Sequence, residues 1–220
     1  MGTVKDIVKA ITRHAYKQDI DRHNTINAWL DYMIEYFDAG QYLTRGGYEN
    51  MQKQKYRESE ELYMATYMWM NITADNMANG QASDVIGAVY EELFQSRGKA
   101  SSLGQFFTPV PLCDVITICS GEGQMRVNDS ACGSGRTLVS HYMETTKKGG
   151  LSKAYYIGED TDMTSVKMCA LNMMIHGMRG RAIRHDSLTD RGFGYGLEVN
   201  EVRHPFPSMF YSVRKIQSKT

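Results

Sequence analysis

The sequence predicts an α/β fold in which a helical N-terminal module, residues 1–98, leads into an open parallel sheet in residues 99–220. Three observations carry that expectation. Apolar residues recur at three- and four-residue steps up to about Gln95. The period then changes, and "MRVND" at 125–129, "AYYIGED" at 154–160 and "RAIRH" at 181–185 read as short strands. Between them "RTLVSHYMETTKK" and "MTSVKMCALNMMIHG" read as helices, and strand, helix, strand, helix, strand is the order of a parallel, right-handed layer.

Within the helical part, Ile26, Trp29, Leu30, Met33, Ile34 and Phe37 form one buried stripe that Gly40 stops. Leu62, Ala65, Trp69 and Ile72 form a second, and Val85, Ile86, Val89, Tyr90 and Leu93 a third behind a Ser83 cap. The tyrosines and methionines along these stripes are expected in the core. "RGGYENMQKQKYRES" between the first two stripes is polar and aperiodic, the pattern of a loop. His176, next to Gly177, sits where a histidine complements a helix C-terminus.

A chain of 220 residues accommodates one sizeable core or a small module docked on a larger one. Its 25 Lys and Arg balance its 25 Asp and Glu, so any nucleic-acid contact has to be a local patch. Cys113, Cys119, Cys132 and Cys169 show no CxxC spacing and follow no signal peptide, which points to reduced thiols, no metal site and a cytoplasmic protein. No apolar run approaches the ~20 residues of a membrane span, so no membrane partner is expected.

The chemistry gathers at the strand ends. The first strand runs into "NDSACGSGR", where Gly133 and Gly135 permit a tight turn and close backbone approach to a ligand at a helix N-terminus. A GxG of this kind also serves as a plain strand-to-helix turn, and context decides between the two. The second strand ends in Glu159 and Asp160, roughly 25 residues on, where a carboxylate can accept both hydroxyls of a ribose. The third ends in "HDS", with Asp186 at its tip. Each acid alone could be a helix cap, but three at successive strand ends face one crevice.

"GQFFTP" at 104–109, "NDSACGSGR" at 128–136, "IGEDTDMTSVKMCALNMMIHG" at 157–177 and "RHDSL" at 184–188, preceded by "SDVIGAVYEELFQ", together resemble the N6-adenine DNA methyltransferases, especially the modification subunits of type I restriction systems. The resemblance implies part of a Rossmann-like, S-adenosylmethionine-dependent methyltransferase fold, S-adenosylmethionine as cofactor, and methyl transfer to adenine N6 in DNA. By resemblance, "GQFFTP" closes over the methionine part through Phe107, Thr108 and Pro109. Asp129, Ala131, Gly133 and Gly135 match the motif around the amino-acid moiety. The ribose-binding acid falls on Glu159 and the adenine-contacting acid on Asp186. Ser130 stands where the family's "DPACGSG" has proline.

The family's catalytic element, Asn or Asp followed by Pro-Pro and an aromatic, belongs at the end of a fourth strand, and neither form occurs in this sequence. Its side chain and a neighbouring carbonyl accept hydrogen bonds from the adenine amine while the aromatic stacks on the flipped base. Leu197, Val199 and Val202 suggest that fourth strand, followed by "HPFP" with His204 in the amide's place, Pro205 in line with the first proline and Phe206 one position early. A neutral imidazole accepts one hydrogen bond without a carbonyl's reach, so this tetrad is a degenerate catalytic candidate. Its bland alternative is a proline-stiffened edge segment.

The family fold has seven strands, and the residues after "HDSL" leave room for about two more. The fourth strand is then expected to leave an open edge, covered by a second copy, by a separate subunit or by the tail folding back, and the resemblance implies DNA as a further partner. The rival readings are a non-catalytic cofactor-binding or assembly protein, and an accessory protein of a mobile element or restriction-modification system.

Overall fold

Helix-forming residues and their caps build the N-terminal layer of the computed structural model, which describes residues 2–38, 59–95, 108–120, 125–147, 153–189, 192–201 and 212–217. Helix α1 (Val4–Gln18) opens with a reciprocal cap: Thr3 Oγ1 accepts from Asp6 N–H, and Asp6 Oδ2 accepts from Thr3 N–H. Helix α2 (Arg22–Tyr36) is capped by Asp21 and buries Ile26, Trp29, Leu30, Met33 and Ile34 as the sequence predicts. It stops at Tyr36, before Gly40, because the Phe37 carbonyl is taken by Val213 N–H.

Helix α3 (Glu60–Ala78) turns Leu62, Ala65, Thr66, Trp69 and Thr73 inward. Thr66 is buried because its hydroxyl accepts from Trp29 Nε1 at 3.1 Å, while Ile72 is only half-buried. The expectation that the tyrosines and methionines of this stripe are core fails at Tyr63, Met64 and Tyr67, which lie on the opposite face and are exposed. Helix α4 (Val85–Gln95) is capped by Asp84 rather than Ser83: Asp84 Oδ1 accepts from Gly87 N–H, while Ser83 Oγ accepts from Asn76. Most of the polar stretch expected as a loop lies outside the described residues.

Helix α5 (Val110–Ser120) leads to strand β1 (Arg126–Asp129), followed by α6 (Arg136–Lys147), β2 (Tyr155–Asp160), α7 (Met163–Ile175) and β3 (Gly180–Arg184). These three strands are parallel and in the order β1-β2-β3, each within a residue of its predicted bounds. Helix α7 is buried nearly all round, packed between the sheet on one side and α2 on the other. Gly158 and Gly180 on the sheet face it: a Cβ on Gly158 would meet Cys169 Sγ at 2.5 Å, and one on Gly180 would meet Met173 Cε at 2.7 Å. The apolar core runs without a break from α1, α2, α3 and α4 through α7 into the sheet.

The sheet is mixed rather than wholly parallel. Strand β4 (Tyr195–Val199) pairs antiparallel with β3, Arg184 opposite Tyr195 and Gly180 opposite Val199, and β5 (Val213–Ile216) pairs antiparallel with β4. The cause is the short connection after β3: a parallel return needs a crossover of a dozen or more residues, usually a helix, and the connection over 185–194 is shorter than that. The edge expected to be open at the fourth strand is therefore covered by β5, and β5 touches the end of α2 at Asp38. Among the described residues β1 is paired on one side only. Val115, Ile116 and Ile118 on α5 and Met125 just before β1 are exposed.

All four cysteines are free, and among the described residues no helix is long and apolar enough to cross a membrane.

Candidate functional site

The carboxyl ends of β1, β2 and β3 carry Asp129, Glu159 with Asp160, and Asp186 side by side, as strand alternation in a parallel layer requires. Above β1 the chain turns through Ser130 and Ala131 into a loop in which Gly133 (φ 51°) and Gly135 (φ 83°) are left-handed. A side chain at either would be strained. The loop is fastened by the acids themselves. Asp129 Oδ1 accepts from Ala131 N–H at 3.1 Å, and Asp160 Oδ2 accepts from Gly133 N–H at 3.0 Å. Asp160 Oδ1 also accepts from Asp162 N–H at 2.9 Å, so this carboxylate is occupied in holding backbone.

Glu159 is differently placed. Its Oε2 lies 2.7 Å from His185 Nδ1, at the first residue beyond β3. Asp186 is exposed, and its Oδ1 accepts from Leu188 N–H at 3.1 Å. Ser187 Oγ donates to Ser130 O at 3.3 Å, which ties the third strand tip to the turn above the first.

Beneath the loop two thiols meet. Cys132 and Cys169 are both buried, and a hydrogen bond between them together with burial pushes the Cys132 thiol well above its ordinary value. Cys132 acts as neutral packing against the loop, since a thiol is nucleophilic only as thiolate.

A cavity of about 360 Å³ opens along the unpaired side of β1, between α5 and α6. Thr108, Asp129 and Ala131 line it, together with Asn128, Thr117 and His141. The structure thus brings Thr108, Asp129 and Ala131 to one cavity. It puts Gly133 and Gly135 in the loop beside it, and Glu159 and Asp186 on the next two strand tips. Pro109 is exposed and lies at the start of α5, where its carbonyl accepts from Cys113 N–H. Phe107 lies outside the described residues.

His204, Pro205 and Phe206 also lie outside them, as does Val202. Their described flanks are informative all the same. Asn200 N–H donates to Ser212 O, and Ser212 N–H donates to Asn200 Oδ1, so the chain leaves β4 and enters β5 beside the N-terminal end of β3. Strand β4 runs antiparallel to β3, so its C-terminal end lies at the opposite end of the sheet from the acidic strand tips.

One residue escapes a sequence reading of the site. Asp84, at the start of α4, has its side chain 3% exposed. It accepts from Ser134 Oγ at 2.6 Å, Arg136 Nε at 2.8 Å and Asn172 Nδ2 at 2.7 Å, besides capping α4. Burial alone would lower the Arg136 pKa, but the Asp84 and Glu91 carboxylates outweigh it and raise it, so the guanidinium is held charged. The signal available in sequence was a helix-capping aspartate in "SDVIG", which by itself means only a cap.

A family profile for N-6 DNA Methylase matches residues 81–211, more than half of the chain. The chain belongs to the N-6 DNA Methylase family. Within that family it is similar to the Type I restriction enzyme HindI methylase subunit of Haemophilus influenzae, 33% identical over 102 residues, which cover 44% of this chain and 23% of that one. It is likewise 30% identical over 118 residues to the MpnII methylase subunit of Mycoplasma pneumoniae, covering 49% of this chain and 21% of the relative. The MjaIX methylase subunit of Methanocaldococcus jannaschii is 29% identical over 122 residues, 51% of this chain and 21% of its own length. The matched stretch therefore spans between a fifth and a quarter of each of these N-6 DNA Methylase relatives. The match includes α4, the glycine loop and all three acidic strand tips, so the region of resemblance and the region of candidate chemistry coincide.

Proposed function

We propose that this chain holds S-adenosylmethionine across the tips of β1, β2 and β3 and serves methyl transfer to adenine N6 in DNA. The observation that carries the reading is the loop with two left-handed glycines between three acidic strand tips, beside a cavity lined by Thr108, Asp129 and Ala131. The donor set fits the cofactor. About 360 Å³ lies within the range of small-ligand pockets. Asp129 faces that cavity with a carboxylate suited to an ammonium group, and Glu159 offers an acceptor pair suited to a ribose diol. Asp186 stands at the tip where the adenine would lie.

Bound S-adenosylmethionine supplies an electrophilic methyl group. The chain's own residues orient it: Asp160 fixes the loop backbone through Gly133, and His185 fixes Glu159. For the ribose to engage Glu159, its hydroxyls have to share the carboxylate with His185.

The adenine amine needs hydrogen-bond acceptors in line with that methyl group. Strand β4 ends at the side of the sheet opposite Asp129, Glu159 and Asp186. That observation favours a second reading, in which this chain binds the cofactor and the adenine-accepting groups come from another polypeptide. Under it DNA and a partner subunit are both required for turnover, and the chain alone is non-catalytic.

Calorimetric titration with S-adenosylmethionine tests the cofactor reading. Asp129→Ala and Glu159→Ala should each weaken binding by roughly 1–3 kcal/mol. Affinity unchanged in both would remove the assignment. Transfer of labelled methyl to mixed-sequence DNA then separates the two readings: transfer by the purified chain supports the first, and cofactor binding without transfer supports the second.

A further inference from the structure

We infer that Asp84, which belongs to the helical module, is a positioning residue for the S-adenosylmethionine loop and sets its conformation from outside the sheet. The inference rests on the cofactor reading above.

An ionised carboxylate has about four acceptor sites. Asp84 fills them with four donors from three separate stretches of chain. Gly87 N–H comes from α4, Ser134 Oγ from the glycine loop, Arg136 Nε from the first residue of α6, and Asn172 Nδ2 from the middle of α7. The last three partners lie 50, 52 and 88 residues away. This is far more than a cap requires, since capping α4 uses only the bond from Gly87.

The bonds converge on Ser134, which lies between the two left-handed glycines. Its hydroxyl is held by Asp84, and its carbonyl accepts from Asn172 Nδ2 at 2.8 Å. Asn172 thus spends its amide nitrogen on Asp84 and on the loop, while its Oδ1 is buried without a partner among the described residues. The amide is present as a donor. Arg136 carries the linkage further: its Nη1 donates to Thr108 O at 3.2 Å, at the rim of the cavity. One buried carboxylate therefore holds both the loop beside Asp129 and the wall that carries Thr108. It touches neither Glu159 nor Asp186.

That asymmetry makes the inference testable. Asp84→Asn keeps the shape but removes the charge that organises these four donors. With the full chain, the variant should bind S-adenosylmethionine roughly 10- to 100-fold more weakly, the equivalent of a lost ionic hydrogen bond. It should bind 5′-methylthioadenosine, which lacks the amino-acid moiety, within about twofold of the unmodified protein. Glu159→Ala should weaken both ligands. Ser134→Ala, which removes only one donor, should show the selective pattern of Asp84→Asn at smaller size, and it carries the test if Asp84→Asn does not fold.

Loss of both ligands in parallel, or wild-type affinity for S-adenosylmethionine in the folded variants, overturns the positioning role. If the unmodified chain binds neither ligand, the cofactor reading itself falls first, a result distinguishable because it appears without any substitution.

Discussion

Replacing Gly158 by Ala tests how closely the strand beneath the loop is packed on α7. The added Cβ would lie 2.5 Å from Cys169 Sγ and 3.1 Å from Cys132 Sγ, the first roughly an ångström inside ordinary contact. Neither sulfur can swing into solvent, because both cysteines are buried. Overpacking of that kind costs about 1–3 kcal/mol. Cys169→Ala on its own removes a buried sulfur and costs about 1 kcal/mol. It also removes the closer clash, so the double variant should be at least ~1 kcal/mol more stable than the two single effects predict together. Urea unfolding of the four proteins gives the coupling directly.

Gly135→Ala supplies the internal control for that cycle. Its Cβ would also meet Cys169, at Sγ 2.9 Å and Cα 3.2 Å, but Gly135 has φ of +83°. Left-handed strain of about 1–2 kcal/mol and the backbone contact both survive removal of the sulfur. Rescue by Cys169→Ala should therefore be weaker at Gly135 than at Gly158. Strictly additive effects at Gly158, or a Gly158→Ala cost below about 0.5 kcal/mol, would refute the close-packing argument.

Asn200 is buried with φ of +50°, and its amide donates to Met174 O and Met178 O while accepting from Ser212 N–H. Asn200→Ala should cost about 2–4 kcal/mol in chemical denaturation by leaving these groups unpaired, and Asn200→Gly should cost about 1 kcal/mol less because it relieves the backbone. His176 is buried, and burial lowers its pKa below the ordinary histidine value. Below that ordinary value the unfolded chain binds a proton the folded chain refuses, so stability is present above pH ~6.5 and falls as pH drops, by up to ~1.4 kcal/mol per unit. Burial lowers His14 and His141 too and adds to the decline in the same direction, so denaturation midpoints at pH 7 and 5.5 should show it and His176→Gln should reduce it; an identical slope in the variant would show that His176 does not contribute.

The parallel half of the fold was legible because its signals are local. Val127 and Tyr156 to Gly158 sit in short apolar runs closed by acids, and helical periods separate them. Strand β4 was legible as a strand from Leu197 and Val199, but its direction was not, because direction is set by the length of the connection from β3 rather than by the strand's own apolar pattern. Tyr63 and Tyr67 misled because aromatic residues on a helix count as apolar in a pattern, while these two are exposed on α3. The three acidic tips could be read from spacing. Asp84 could not, since its meaning lies in Ser134, Arg136 and Asn172, which only the packing of α4 against the loop and α7 brings together.

The central claim is that the glycine loop and the strand tips beside it form an S-adenosylmethionine site. Isothermal titration of the purified chain with S-adenosylmethionine tests it most directly, with Glu159→Ala as the matched variant. The account predicts a saturable one-site isotherm that S-adenosylhomocysteine displaces and Glu159→Ala weakens roughly 10-fold or more. A flat titration at high protein concentration, or an isotherm that Glu159→Ala leaves unchanged, would contradict it.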